Sequence, residues 1–322
     1  MDETILLADV GGTKTELSIL NKENLEIVDV EIKYTSSFEK ISDMILEYIQ
    51  EIHSRDYVFP TIGLFAVAGN VREGLNLTNL SFEMDIENLK EKTPIVEVEV
   101  LNDLEAATYH LRDVKEKEVM NILDGNNDYG NKTLIAIGTG LGVAFDLETD
   151  NERKVMASEA GHTLFQPVTE EDIELLEFFQ SELNKENINW EDIISGKGIE
   201  RIYRYAVNYE EGFAENPYSL DVEHISNSKI SNNAANKTFR IFYRLLGRFA
   251  RMQVLENLVY GGVFLSGGVV RKNLDIGLED FKYEFYKYDE VMEKEIPVKA
   301  IREGGDTIKG LKRYFCDFYL KN

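Results

Sequence analysis

Residues 5–20 read Ile5-Leu6-Leu7-Ala8-Asp9-Val10-Gly11-Gly12-Thr13-Lys14-Thr15-Glu16-Leu17-Ser18-Ile19-Leu20. The pattern predicts an apolar strand (Ile5–Val10), a glycine turn and a second apolar strand (Thr15–Leu20). A polar turn (Asn21–Asn24) and an alternating run (Leu25–Tyr34) extend it into a three-stranded meander. The theme returns past the chain's first third, where Thr133–Ile137 is apolar, Gly138–Gly142 is glycine-rich and Val143–Leu147 is apolar again. A strand, Gly/Thr turn, strand unit is therefore used twice.

The glycines Gly138, Gly140 and Gly142 do not make a dinucleotide loop, because that loop opens into a helix and here a strand follows. Nor does the chain contain a G-x-x-x-x-G-K-[ST] stretch, so a P-loop is absent. A glycine hairpin still suits phosphate, since backbone without Cβ approaches closely and lets consecutive N–H groups converge. One such hairpin alone reads as a tight turn. Two of them, each with Thr beside Gly and the first with Asp9 at an apolar strand end, point to a triphosphate gripped from both sides. A carboxylate at Asp9 is costly there unless it meets a cation, and Mg²⁺ on a nucleotide would supply one.

Around these turns the periodicities alternate. Ser36 and Glu39 form a capping-box pattern ahead of Ile41, Ile45, Tyr48, Ile49 and Ile52, spaced along one helix face. A buried strand (Ile62–Ala68), a short helix (near Ile86–Lys92) and a strand (Ile95–Leu101) follow, and the last runs through Asn102-Asp103 into a helix from about Leu104. The order is βββαβαβα. After a turn-rich joint at Asp124–Lys132 and the second glycine unit, the chain turns mainly helical from Glu170, with a long helix near Asn236–Leu258. The strand Val263–Ser266 then meets Gly267-Gly268, and a final helix from about Thr307 carries Ile308, Leu311, Tyr314 and Phe315 back onto one lobe.

With 35 Lys and Arg against 59 Asp and Glu, the 322-residue chain has a formal charge of −24, which disfavours nucleic acid and anionic membranes as partners. Any phosphate must be held by local groups: backbone N–H donors, helix N-termini, a placed Lys or Mg²⁺. Cys316 is the single cysteine, excluding an internal disulfide and any zinc site built on several thiolates. Met1-Asp2-Glu3-Thr4 lacks a basic leader and the run Ile5–Ala8 is too short for a signal sequence or membrane span, so a cytoplasmic protein is expected.

Five segments in order carry a resemblance: Asp9–Thr15, Leu101–Ala106, Ile137–Gly142, Ser158-Glu159-Ala160-Gly161-His162 and Gly262–Gly268. Together they resemble the bacterial-type glucokinases, within the hexokinase, actin and heat-shock-70 ATPase superfamily. The resemblance implies an α/β, ribonuclease-H-like fold of two lobes with a cleft between, each on a five-stranded mixed sheet. Residues 1–113 plus 301–322 would form the small domain and 114–300 the large one. It implies ATP and Mg²⁺ as cofactors, a hexose, glucose first, as acceptor, and a homodimer. Asp9, Gly11, Gly12, Thr13, Lys14, Gly138, Thr139, Gly140, Gly142, Gly267 and Gly268 would bind the nucleotide, with Asp9 facing Mg²⁺ through water. Asn102, Asp103, Glu159, His162 and Glu191 would bind the sugar. Ala160 stands where the family usually has Gly, Ile137 where Gly or Ala is frequent, and Phe82 where Trp is common. These departures leave the reaction class intact and weaken the case for glucose in particular. The related repressor, open-reading-frame and kinase proteins add a cysteine-rich zinc motif that one Cys316 does not supply, so no zinc is expected.

Phosphoryl transfer needs an aligned hydroxyl, a group to take its proton and neutralised charge. Asp103, after a strand and before a helix, lies where open α/β sheets carry ligands, and it competes there with a plain helix-capping role. The resemblance favours Asp103 as the base. Asn, Glu and His suit sugar hydroxyls because an unpaired buried polar group is expensive. A Glu early in a helix, such as Glu191, is otherwise a solvated side chain, and His162 otherwise a packed imidazole. Lys14 ranks below the glycines as a phosphate ligand. The aromatic run Phe281, Tyr283, Phe285, Tyr286 and Tyr288 reads as core or subunit interface. Two other readings stay open: a kinase for another hexose or amino sugar, and a sugar- and nucleotide-binding regulator without catalysis.

Overall fold

The computed structural model describes residues 3–55, 57–68, 86–127, 129–149, 152–208, 216–287, 295–302 and 306–320. Phe82, Asp128 and Tyr288 lie outside them. The chain divides into two compact units: Met1–Val114 together with Gly304–Asn322, and Lys115–Glu303.

In the first unit, β1 (Thr4–Val10), β2 (Lys14–Asn21), β3 (Ile27–Tyr34), β4 (Ile62–Val67) and β5 (Glu97–Asn102) form one sheet in the order β3-β2-β1-β4-β5. The meander is antiparallel, whereas β4 runs parallel to both β1 and β5. Helix α1 (Ile41–His53) buries Ile41, Ile45, Tyr48, Ile49 and Ile52 against Leu6, Ala8, Val10 and Phe65. That is the face its spacing predicts. The capping box does not form: Lys40 precedes the helix without a side-chain cap bond, and Ser36 sits in a 3₁₀ turn (Thr35–Ser37). Thr35 is held instead by the glycine turn, which fixes Ser36 too early to reach the helix. The third strand starts at Ile27 and not at Leu25, because Leu25 has φ +59° inside the turn that Asn21 organises. Short helices α2 (Ile86–Lys92) and α3 (Asp103–Tyr109) complete the unit, together with the final helix α10 (Asp306–Tyr319), which packs on α3, β1 and β4.

The second unit holds β6 (Val119–Leu123), β7 (Lys132–Ile137), β8 (Leu141–Glu148), β9 (Arg153–Ser158), β10 (Val263–Ser266) and β11 (Val298–Ile301) in the order β6-β11-β10-β7-β8-β9. The run β9-β8-β7-β10-β11 repeats the order and the strand directions of the first sheet. The expected five strands are therefore six, because β6 pairs antiparallel with the edge of β11. Ile301 still belongs to this sheet, opposite Val119, so the chain leaves it later than an expected boundary before residue 301. The joint Asp124–Lys132 links β6 to β7.

Among the described residues this unit also holds the helices α4 (Glu170–Leu183), α5 (Trp190–Ile193), α6 (Gly196–Val207), α7 (Val222–Ser228), α8 (Asn233–Asn257) and α9 (Gly268–Phe285). The long α8 begins three residues before the expected start, because the Asn232 side chain caps it through the Ala235 N–H. It lies against α9 at backbone distance: a Cβ on Gly247 would stand 2.4 Å from the Phe281 carbonyl oxygen. Phe281 and Phe285 stack in the core, while Tyr283 is exposed. Among the described residues no helix is long and apolar enough to cross a membrane.

Candidate active site

Parallel pairing makes β1, β4 and β5 end level, with Val10, Val67 and Asn102 in one register row. Their carboxyl ends bring Asp9 and Asp103 to the same edge of the sheet, where such sheets bind ligands. Asn102, not Asp103, caps α3: its Oδ1 accepts the N–H groups of Leu104 at 3.0 Å and Glu105 at 3.1 Å. Asp103 stands at the first helical position with Oδ1 on the Leu104 N–H at 2.8 Å. Burial raises the Asp103 carboxyl above its ordinary range, against the pull of those backbone donors.

Asp9 is pushed up to about 6, by burial first, then by the charge of Asp103 and that of Glu16, its register partner across β1 and β2; a hydrogen bond from the Thr307 side chain works the other way. Two neighbouring carboxylates and a desolvated third make a place whose negative charge a cation would relieve. Hard carboxylate oxygens are the donors Mg²⁺ prefers, so the residues fit that ion. Among the described residues no group of three or more His, Cys, Asp and Glu is placed to hold a metal by itself.

The first glycine turn is tight because the Gly11 N–H donates to the Lys14 carbonyl at 3.1 Å, and a Cβ on Gly11 would lie 2.7 Å from that oxygen. Thr35 anchors it twice, donating its hydroxyl to Gly11 O at 2.8 Å and its N–H to Thr13 O at 3.0 Å. Gly12, Thr13 and Lys14 stay exposed, and the Lys14 ammonium sits 5.4 Å from the centre of the Tyr34 ring.

In the second unit the hairpin at Gly138–Gly142 is closed by Gly138 N–H to Gly140 O at 3.0 Å, and Gly142 already pairs with Ala136 in the ladder. Glu191, on α5, clasps this turn: its Oε2 accepts the Leu141 N–H at 2.9 Å, and a Cβ on Gly140 would come within 2.5 Å of that oxygen. Its other oxygen lies 3.9 Å from His162 Nδ1, and His162 Nε2 lies 3.5 Å from Glu159. Glu159, His162 and Glu191 are thus one cluster, with the His162 ring more than half exposed. Gly161 lets the His162 turn press onto the hairpin, since a Cβ there would lie 2.2 Å from Leu141 O. Glu191 was expected as a sugar ligand or as a solvated side chain; the structure shows it holding the glycine turn, a role its sequence neighbours do not reveal.

Gly138 and Thr139 also line a cavity of about 500 Å³ with Gly268. The N-termini of α6 and α9 both open onto it, through Gly196 and Gly268, and Ser226 of α7 donates to the Asn273 Oδ1 of α9 at 2.6 Å along its wall. Gly267 turns the chain into α9 with φ +126°, a conformation only glycine holds without strain. Gly196, Lys197, Ser226 and Asn273 escaped the sequence reading. The one available signal was Ser195 ahead of Gly196-Lys197-Gly198, a helix cap that its Gly198 hydrogen bond realises.

The sequence matches the family model described as Glucokinase over residues 6–317. The Glucokinase of Colwellia psychrerythraea is 28% identical, with 96% of this chain and 95% of that protein aligned. That of Nostoc punctiforme is 26% identical over 85% and 86%. Among solved structures, a glucokinase from an Antarctic psychrotroph has a TM-score of 0.85 at 24% identity, covering 98% of this chain and all of that one. A glucokinase from Balamuthia mandrillaris, in complex with glucose, has a TM-score of 0.78 at 21% identity over 97% and 93%. Two sheets that repeat one strand order, each with its glycine hairpin, and a family match spanning nearly the whole chain agree: the chain belongs to the glucokinase family.

Proposed function

We propose that the protein transfers the γ-phosphoryl group of ATP to the 6-hydroxyl of glucose, giving glucose 6-phosphate and ADP. The observation that carries this reading is the pair Asp9 and Asp103 at the carboxyl ends of β1 and β5. Asp103 receives the proton of the sugar 6-hydroxyl as its oxygen bonds to the γ-phosphorus and the bond to the bridging oxygen breaks, releasing ADP. Its carboxyl is shifted toward a better base by burial, while the Leu104 N–H fixes one oxygen. Asn102, Glu159, His162 and Glu191 supply polar partners for the sugar hydroxyls.

The cavity lined by Gly138, Thr139 and Gly268 suits the adenosine part, and two helix N-termini at its mouth favour the phosphates despite the acidic chain. Gly140, Gly142 and Gly267 shape the turns of this unit, and the turn of Gly11, Gly12 and Thr13 in the other unit would offer further backbone donors for phosphate, with Lys14 as a secondary contact. Asp9 would face the nucleotide's Mg²⁺ through water; that ion neutralises phosphate charge during transfer. The protein would work in the cytoplasm as a homodimer, as its family resemblance implies.

A coupled assay of ADP release across glucose, mannose, fructose and amino sugars, with wild type and Asp103→Asn, tests the reading. Glucose should be turned over best, and Asp103→Asn should lower kcat by roughly 10²–10⁴-fold with much less effect on sugar binding. A different preferred hexose replaces the acceptor. Near-normal kcat in Asp103→Asn removes the base.

A further inference from the structure

We infer that Gly140 and Glu191 are positioning residues that tie the sugar site to the second glycine hairpin, so that one carboxylate sets both. The inference rests on the sugar role proposed above for Glu191. Neither Gly138 nor Gly140 has a positive φ, so backbone conformation does not require glycine at either place. Their surroundings differ. A Cβ on Gly138 would meet nothing within 4 Å, which leaves that side of the turn open to a ligand. A Cβ on Gly140 would stand 2.5 Å from Glu191 Oε2 and 3.2 Å from its carboxyl carbon. Gly140 is thus a glycine for the sake of Glu191, not of phosphate.

The carboxylate has two sides. Oε2 accepts the Leu141 N–H at 2.9 Å and clasps the hairpin, while Oε1 lies 3.9 Å from His162 Nδ1, among the groups proposed to hold the sugar. Bonds to an ionised acceptor are among the stronger ones, so a shift of the hairpin carries the carboxylate with it. The backbone repeats the tie. Helix α5, which carries Glu191, is joined at its start to the sugar loop by the Trp190 N–H on Thr163 O at 3.1 Å, and just past its end the Gly196 N–H donates to Gly138 O at 2.9 Å. Reciprocal bonds between Asn189 and Asp192, and the buried Trp190 ring against Phe165 and Phe249, hold α5 in place. A displacement at either site is therefore felt at the other, and by linkage the effect runs in both directions.

The test titrates glucose calorimetrically, without nucleotide, into wild type, Gly140→Ala and Gly138→Ala. The obstruction at Gly140 is the tip of a side chain, so Ala there moves the carboxylate and spares the backbone. Gly140→Ala should bind glucose roughly tenfold more weakly, having displaced a charged partner of the sugar, and Gly138→Ala should bind it as wild type does. In a Glu191→Ala background the Gly140→Ala step should cost nothing further. The reverse direction is read from ATP kinetics. Glu191→Asp, a methylene short of the Leu141 N–H, should raise the KM for ATP severalfold, whereas Glu191→Gln, which keeps an oxygen for that N–H, should leave it in place while both weaken glucose. That arm also decides the matter if Gly140→Ala does not fold. Glucose binding by Gly140→Ala equal to wild type, an equal loss in both backgrounds, or an unchanged KM for ATP in Glu191→Asp overturns the link. Glucose binding by Glu191→Ala equal to wild type overturns instead the sugar role of Glu191, and the link with it.

Discussion

Gly267 is the residue whose geometry leaves least room for substitution. It holds φ +126°, and a Cβ there would stand 2.1 Å from the Ile137 carbonyl oxygen. Ala at this position must move either the end of β7 or the start of α9, and both line the cavity assigned to adenosine. Strain of this kind is worth about 1–3 kcal/mol, so Gly267→Ala should raise the KM for ATP by roughly tenfold while the KM for glucose stays put. Unchanged ATP kinetics in that variant would mean the cavity is not where the nucleotide binds. The sequence made Gly267 visible because a Gly-Gly pair after an apolar strand is a local signal. Asp103 was visible for the same reason, although its capping role belongs to Asn102 next to it. Gly196 and the clasp of Glu191 were not visible, because what they touch lies far along the chain, and neither stands in a recognisable pattern.

Elements were legible where one period ran unbroken. Helix α1 and strands β1, β2, β4, β7, β8 and β10 follow from apolar spacing, whereas β6, β9 and β11 were missed. Strand β9 carries one buried residue in six and gains its place from the ladder with β8, so its own sequence does not declare it. The start of α4 has a capping box that went unread: Thr169 accepts the Asp172 N–H, and Asp172 accepts the Thr169 N–H. The fully buried Asp172 also joins α4 to α8 through Arg244 and Arg248, and Arg248 reaches Glu284 of α9. Burial alone would raise the Asp172 carboxyl; the Arg244 charge, the Val168 N–H and Arg248 outweigh it and bring it down to about 2 from an ordinary 3.8. A group lowered in the folded state stabilises fully above its unfolded pKa and loses that effect as pH falls through its folded one. The window therefore runs from about pH 4 down to about pH 2, and a difference of that size is worth roughly 2–3 kcal/mol. Asp172→Asn should destabilise the folded chain by about 3–5 kcal/mol at neutral pH, because Arg248 is left buried with half its partners. It should also flatten the acid limb of stability, measured by urea unfolding at pH 6.5 and pH 3. An equally steep limb in the variant would assign the acid sensitivity to other carboxylates.

For the molecule as a whole, the glycine theme read at residues 9–13 and 138–142 turned out to mark a repeat of an entire sheet, five strands with identical order and direction. Total charge is the other property of this scale, and it sets a conflict: a chain of −24 must admit an anionic nucleotide. On the function proposed above, local groups would resolve it at short range, through the helix starts at Gly196 and Gly268 and the glycine turns, with the exposed Lys14 secondary. Long-range repulsion remains, and it is the part that salt removes, because the Debye length shortens from about 30 Å at 0.01 M to about 8 Å at 0.15 M. Raising ionic strength across that range should therefore lower the KM for Mg²⁺·ATP by roughly two- to fivefold. Glucose is uncharged and feels no such field, so its KM, read in the same assays, should not move. Sites that hold phosphate with exposed cations behave in the opposite way, since salt screens an attraction there. A KM for ATP that climbs with salt would thus show that placed lysines, and not backbone donors and helix starts, bring the nucleotide in.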